Sequence, residues 1–161
     1  MIDETDRAIL RILQSDARTS NAEIARQVGM APSGIFERLR KLEERGVVRG
    51  YAPRLDPDAL GFGLLAFVHV RSDEPGGAPE AERRLAEIPE AEEVHHVAGE
   101  DCFLVKVRVA DTAALGRLLR EQVGAIPNVR STRTTIVLGT VKEGAPLPLG
   151  DAPVAAEVAH G

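Results

Sequence analysis

The sequence predicts an α+β protein with an N-terminal helix-turn-helix domain, of the winged type, followed by a ferredoxin-like βαββαβ domain. Two observations predict this fold class. Residues 1–50 carry three amphipathic helical patterns, and a glycine and a proline separate the second from the third. The rest of the chain contains an internal repeat, because Ile88-Pro89 recurs later as Ile126-Pro127. Each copy reads strand, helix, strand, and two such units in tandem form a split βαβ sheet.

The composition limits the class of protein. The chain has 161 residues, 43% of them hydrophobic, and a net charge of −5. Its longest apolar run, residues 64–68, is far shorter than the roughly 18 residues of a membrane span, and the acidic N-terminus does not resemble a signal peptide. A single cysteine, Cys102, excludes an internal disulfide and is typical of a reducing compartment. We therefore expect a cytoplasmic protein without a membrane segment.

The three N-terminal helices are predicted from their caps and apolar stripes, over residues 3–15, 20–28 and 32–46. Ser20 and Glu23 have the spacing of a capping box, in which the serine accepts from a first-turn amide and the glutamate reaches back. Gly29 can end the second helix in the left-handed conformation. Pro32 suits the first position of the third helix, although Ala31 before it is a poor cap.

The remaining boundaries follow from turn residues and alternating apolar patterns. Residues 51–61 form a proline-containing linker with one short strand, and the βαββαβ domain extends over residues 62–142. Its strands are predicted at 63–71, 93–98, 102–109 and 130–141, and its helices at 80–88 and 112–123. Residues 143–161 are rich in proline, glycine and alanine without a periodic stripe, and this composition predicts a disordered tail.

The third helix has one apolar face and one polar, largely cationic face. Small polar residues at the start of a helix can reach base edges in the major groove, while cations further along bind phosphates. The alternative is a solvated helix whose cations pair with Glu37, Glu43 and Glu44. The capped preceding helix and the glycine turn favour DNA. The predicted DNA-contacting residues are Ser20, Asn21, Ser33, Gly34, Glu37, Arg38, Arg40, Lys41 and Arg45.

Two segments carry a resemblance to a known family. Residues 2–61, beginning IDETDRAILRIL and containing MAPSGIFERLRKLEERGVVRGY, resemble the N-terminal half of the Lrp/AsnC (feast/famine) transcriptional regulators. The runs VHHVAGEDCFLVKVRV and TRTTIVLGTVKEG resemble their ligand-sensing domain. The resemblance implies homodimers that bind double-stranded DNA, often as tetramers or octamers, under the control of an amino acid or related metabolite. It also implies that the linker after Gly46 pairs with the same segment of the partner subunit.

The resemblance also points to a site for the effector. Amino-acid-binding members commonly read Gly-Asp/Glu-x-Asp-Tyr in a turn of the sensing domain, whereas this chain has Cys102 at the second acidic position. The outward amides of the turn can receive a carboxylate, and its acidic side chains an ammonium group. Asp101 or Glu100 then substitutes for the missing acid, or the ligand is not a standard amino acid. The predicted effector-binding residues are Gly99, Glu100, Asp101, Cys102, Thr132 and Thr134.

No cofactor, metal site or enzymatic activity is expected. His95 and His96 are adjacent in a predicted strand, so their side chains point to opposite faces and cannot easily share one ion. Sirohaem decarboxylases, which resemble Lrp/AsnC proteins in fold and use histidines near a tetrapyrrole, are the alternative function. That activity would not need a cationic third helix.

Dimerisation is expected from the sheet itself. The predicted strand over residues 102–109 is apolar on one face, and the strand over 63–71 carries apolar residues on both. Two helices can cover only one face of a four-stranded sheet. A second sheet from a partner subunit is the simplest cover for the other face.

Overall fold

The computed structural model describes residues 2–73 and 79–150. The chain divides into two compact units. The helical unit comprises the chain up to Pro53 together with the segment that begins at Lys142. The sheet unit comprises Arg54–Val141. Most of the predicted linker therefore clusters with the sheet unit, and the start of the predicted tail clusters with the helical unit.

The helical unit contains the three predicted helices, α1 over Glu4–Ser15, α2 over Asn21–Val28 and α3 over Pro32–Glu44. Each helix contributes its apolar stripe to one small core, because residues three and four apart share a helix face. That core consists of Ile9, Ile24, Ala25, Ile35 and Leu39.

The helix ends follow the predicted capping with one exception. Gly29 ends α2 with φ +71°, as predicted, and Ala31 gives α3 no side-chain cap. The Ser20 hydroxyl accepts from the Glu23 amide at 3.2 Å. The prediction that the Glu23 carboxylate also accepts from the Ser20 amide is wrong. That carboxylate accepts instead from Arg26, on the next turn of the helix. A complete capping box does occur at Asp3, on α1.

The sheet unit has the predicted βαββαβ order. Its strands are β1 (Leu64–Ser72), β2 (Ala91–His96), β3 (Phe103–Val109) and β4 (Val129–Ile136). Its helices are α4 (Pro79–Ala86) and α5 (Thr112–Arg117), and α5 continues as a π-helical turn over Leu118–Val123. The strands lie in the order β2-β3-β1-β4, and every adjacent pair is antiparallel. This is the ferredoxin-like arrangement.

One face of the sheet forms the core with the helices. Val68, Val105 and Val107 are fully buried there, with Leu85 from α4. Both isoleucines of the internal repeat, Ile88 and Ile126, enter this core. The internal repeat therefore corresponds to a packing arrangement that occurs twice. In each copy, an isoleucine packs into the core where the chain returns to the sheet after a helix.

Three predicted features differ in the structure. The short strand predicted within residues 51–61 is absent from this single chain, because this segment pairs with neither edge strand of the sheet, β2 or β4. β4 ends at Ile136 instead of residue 141. Residues 147–150 of the predicted disordered tail contact α1 through hydrogen bonds. Residues 151–161 lie outside the described residues. Within the described part of the chain, no helix is long and apolar enough to cross a bilayer.

Candidate DNA-contacting helix and effector turn

The outward face of α3 carries most of the predicted DNA-contacting residues. Ser33, Glu37 and Lys41 are exposed, as is Arg45 at the helix end. Before them, the Ser20 hydroxyl is committed to capping α2, and Asn21 is half-buried at its first position. The helix thus presents a small polar start followed by a basic end, which is the distribution that a major-groove helix needs.

Arg38 differs from the other predicted cations. Its guanidinium lies 2.7 Å from Asp3 Oδ2 and 2.7 Å from Asp6 Oδ1, both at the start of α1. Asp6 is only 7% exposed, so the contact with Arg38 offsets the cost of burying its carboxylate. The pKa of Asp3 is lowered, first by the backbone amide of Asp6 and then by Arg38. Arg38 therefore fastens α3 to α1, and its side chain is not free for a phosphate.

Arg40 shows the pairing that the alternative interpretation of α3 predicts. It contacts Glu37, three residues before it, at 3.0 Å, and it also pairs with Glu44, four residues after it. Exposed pairs of this kind are weak and readily exchanged for other partners. Arg40 can therefore still turn to a phosphate, whereas Lys41 has no side-chain partner among the described residues.

Two further residues on α3 shape the face that would meet DNA. A Cβ at Gly34 would lie 3.0 Å from Met30 Cε, so the glycine leaves room for the Met30 side chain. The absence of a side chain at Gly34 also allows close approach to the helix backbone. Phe36 is a large apolar side chain that is 57% exposed on a helix otherwise polar on that side. It was not among the predicted contacts, although an aromatic residue on the flank of the apolar stripe was a signal that could have found it.

The turn between β2 and β3 contains the predicted effector residues. Gly99 has φ +133°, a conformation that favours glycine, and the neighbouring Glu100 is exposed. Cys102 is half-buried, with its Sγ donating to Ser72 O at 3.3 Å and its amide donating to Val70 O at 2.9 Å. The cysteine therefore fastens the hairpin to β1 and does not face a ligand as an acid would.

Asp101 is the centre of a small charged cluster. Its Oδ2 lies 3.0 Å from an Arg133 guanidinium nitrogen on β4 and 3.4 Å from His69 Nδ1 on β1. The Asp101 side chain is 27% exposed and that of Arg133 is 65% exposed. The cluster offers a carboxylate and a guanidinium within one hydrogen bond of each other at the sheet surface. Neither His69 nor Arg133 was predicted from the sequence.

The two predicted threonines are not brought to this cluster. Thr132 pairs with Val70 and Thr134 with Val68 across the β1–β4 ladder. Directly opposite residues project to the same face, and both valines are buried under the helices. Arg133 lies between the threonines and projects to the opposite, open face. Within one chain, the predicted effector set is therefore divided between two faces of the sheet.

The open face of the sheet is apolar in its centre and charged around it. Phe67 and Leu104 are half-buried on the two central strands. Lys106 is 9% exposed and lies 3.1 Å from Glu92 and 3.3 Å from Glu93. The pKa of Glu93 is lowered, chiefly by its hydrogen bond with His95 and also by Lys106. The predicted apolar second face exists, but only as a central patch.

The adjacent histidines and a cavity beside α5 have no part in the predicted site. His95 contacts Glu93 at 3.0 Å on the open face, whereas the ring of His96 packs against Phe103, with the ring centres 5.0 Å apart. No group of three or more side chains suited to a metal ion occurs among residues 2–73 and 79–150. A cavity of about 280 Å³ lies beside α5, lined by residues that include Phe62 and Arg117.

The fold and the outward face of α3 define a DNA-binding protein of the helix-turn-helix class with a second, ferredoxin-like unit. Residues 2–49 match the winged helix-turn-helix DNA-binding family, and residues 65–147 match the Lrp/AsnC ligand-binding domain. The chain belongs to the Lrp/AsnC family of DNA-binding transcriptional regulators.

Curated relatives and solved structures agree with this assignment. The chain is 40% identical to the HTH-type transcriptional regulator FL11 of Pyrococcus horikoshii, over 92% of this chain and 97% of that protein. A feast or famine regulatory protein of Mycobacterium tuberculosis, solved with L-methionine, has TM-score 0.82 and 39% identity over 91% of this chain and all of that one. A Neisseria meningitidis regulator in complex with L-methionine has TM-score 0.85 and 29% identity, over 92% and 97% of the two chains.

Proposed function

We propose that this regulator is controlled by an α-amino acid, or a close derivative, that binds at the turn between β2 and β3. The observation that carries the proposal is the contact between Asp101 and Arg133 at 3.0 Å. A carboxylate can receive the ammonium group of the ligand, and a guanidinium can receive its carboxylate in a bidentate contact. The two related regulators solved with L-methionine support this ligand class.

We propose that α3 enters the major groove of duplex DNA with Ser33 and Glu37 towards base edges. Lys41 and Arg45 then reach phosphates, and Arg40 joins them by leaving its glutamate partners. Phe36 suits the methyl group of a thymine, because an exposed aromatic side chain gains from burial against it. A band shift on the duplex upstream of the protein's own gene tests this binding. Replacing operator thymines by uracil, which lacks the methyl group, tests the contact of Phe36.

We propose that the functional species is at least a homodimer formed through the open face of the sheet, which can assemble further to tetramers or octamers. The half-buried Phe67 and Leu104 support this assembly, because a central apolar patch surrounded by charges is the usual anatomy of an interface. Pairing of the linker between subunits, which the family resemblance implies, would supply the strand that the single chain lacks. Access to chromosomal DNA requires a cytoplasmic location.

The effector is identified by a thermal-shift screen of amino acids followed by band shifts with those that stabilise the protein. A ligand that binds only the folded state raises the unfolding temperature, and the rise grows with the logarithm of the ratio of ligand concentration to Kd. If no amino acid or derivative changes either the unfolding temperature or the operator affinity, the proposed ligand class is wrong. The alternative tetrapyrrole enzyme has no support, because His95 and His96 project to opposite faces and the named relatives are regulators.

A further inference from the structure

A segment that follows β4 in the chain is held against α1. Arg11 Nε donates to Leu149 O at 2.9 Å, and an Arg7 guanidinium nitrogen donates to Gly150 O at 3.1 Å. Arg11 is itself positioned by an ion pair with Glu4 at 2.5 Å. Both bonds join an arginine side chain to a backbone carbonyl. They therefore depend on the backbone conformation of the segment more than on the identity of its side chains.

A third side chain completes the contact. With the Gln14 amide oriented so that its donor faces an acceptor, its nitrogen donates to Leu147 O at 3.2 Å and its oxygen accepts from Leu147 N at 3.0 Å. Gln14 follows Arg11 by three residues and Arg7 by seven, so the three side chains lie along one face of α1. Such a row, which is aimed at the backbone of one segment, is a docking surface for residues 147–150.

The sequence of the segment suits this surface. Residues 145–150 read Ala-Pro-Leu-Pro-Leu-Gly. Prolines lack an N–H group and are excluded from helix interiors and from central strands of a sheet. Leu147 O accepts from Leu149 N at 2.9 Å within the segment, whereas Leu149 O and Gly150 O accept from arginine side chains of α1. Leu149 is half-buried there, whereas Leu147 is 71% exposed.

The helix α1 contacts both the docked segment and α3. On another side, α1 holds the DNA-contacting helix through the bonds from Asp3 and Asp6 to Arg38. The docked segment, α1 and α3 therefore form a continuous series of contacts within the helical unit. At its other end, the segment is joined by residues 137–146 to β4, the strand that carries Arg133.

We propose that residues 147–150 are a strap whose docking on α1 transmits effector occupancy at β4 to the DNA-contacting helix. The proposal rests on the proposed function, since it needs an effector bound at Arg133. The described hydrogen bonds from Arg7 and Arg11 to the strap are exposed, so a ligand that favours one arrangement of β4 can shift the docked population. By linkage, operator binding then alters effector affinity by the same factor.

The test compares full-length variants. Arg11→Ala combined with Gln14→Ala removes two of the three docking side chains, and truncation after Glu143 removes the strap itself. Arg18→Ala is the matched control, since it removes an exposed arginine of the helical unit and keeps all three docking side chains and the ion pair of Arg11. Truncation after Gly150 is the control for shortening the chain. Each protein is titrated onto operator duplex with and without L-methionine, then with other amino acids from the screen.

The expected result is a loss of response without a loss of binding. Effector changes operator affinity in wild type and in both controls by about fivefold or more, the lower end of common allosteric coupling. In the strap variants the change falls below about twofold, while ligand-free affinity and the thermal shift given by the ligand are retained. Strap variants that respond like wild type would overturn the proposal, as would variants that lose the thermal shift. A wild type that responds to no amino acid would instead refute the proposed function, and the strap with it.

Discussion

The guanidinium of Arg38 lies 2.7 Å from the Asp6 carboxylate, so a cation predicted to bind DNA instead joins α3 to α1. Three cations of α3 thereby acquire different roles. Arg38 is structural, Arg40 is paired along its own helix with Glu37, and Lys41 points outward. The stability of the helical unit and its affinity for DNA should therefore respond to different substitutions.

Arg38→Ala should destabilise the helical unit, because it leaves the buried Asp6 carboxylate without its partner. Removing one side of such a contact costs about 1–3 kcal/mol. The unfolding temperature should fall by several degrees, measured by circular dichroism at neutral pH. Arg40→Ala is the matched control, since its pairs are exposed and its removal should change the unfolding temperature little. Equal effects of the two substitutions would contradict the structural role of Arg38.

Acid should weaken the contact between Asp3 and Arg38 in a defined pH range. The pKa of Asp3 is lowered in the folded state from its ordinary 3.8 by the Asp6 amide and by Arg38. The resulting stabilisation is fully present above about pH 4 and is lost as the pH falls through the lowered pKa. Asp3→Asn keeps a capping side chain but removes the charge. Its unfolding temperature should fall less steeply than that of wild type between pH 4 and pH 2, and parallel curves would refute the assignment.

Lys41→Ala should weaken operator binding and reduce the dependence of affinity on salt. Each phosphate contact contributes about one to the slope of log K against log salt, so the slope should fall by about one. The control is Arg120→Ala, which removes an exposed cation from the sheet unit and should leave the slope unchanged. Fluorescence anisotropy at several salt concentrations measures both. A Lys41→Ala protein with the wild-type slope would exclude Lys41 from the phosphate contacts.

The helices of the helical unit were predictable because the residues that determine each helix lie close together in the sequence. The stop at Gly29 and the apolar spacing of Ile35 and Leu39 lie within a few residues of the structure that they determine. The partner of Arg38 was not predictable in this way. Asp6 is 32 residues away, and only the crossing of α1 and α3 brings the two together.

The effector set illustrates the same limit in a sheet. The turn at Gly99 could be predicted from its composition, but the cross-strand register could not. A shift of one residue exchanges the two faces of a strand. Thr132 and Thr134 therefore project to the face of β4 opposite to Arg133, which contacts Asp101 and was not among the predicted residues.

Charges placed on the open face of the sheet should dissociate the proposed dimer. Phe67→Asp and Leu104→Asp each put a carboxylate into the central apolar patch, where burial without a partner is costly. Light scattering of the full chain should then give a mass near the 17.3 kDa of one subunit. Thr132→Asp, whose exposed side chain projects to the opposite face of the sheet, should retain the wild-type mass. A wild type that is monomeric at micromolar concentration would refute dimerisation through this face.

Asp101→Asn should abolish the effector response, because it removes the charge that balances the ammonium group of the ligand while conserving shape. Arg133→Gln should act in the same way on the ligand carboxylate. Thr132→Ala is the matched control on β4, since its side chain projects to the opposite face and its substitution should leave the response unchanged. Isothermal titration with the amino acid found by screening should show at least a tenfold loss of affinity for the first two variants, since a charge-assisted contact is worth about 1.5–3 kcal/mol. Operator affinity without ligand should be retained in all three, because the substituted residues belong to the sheet unit. If Asp101→Asn and Arg133→Gln bind the ligand like wild type, the effector lies elsewhere, and the cavity beside α5 is the next place to test.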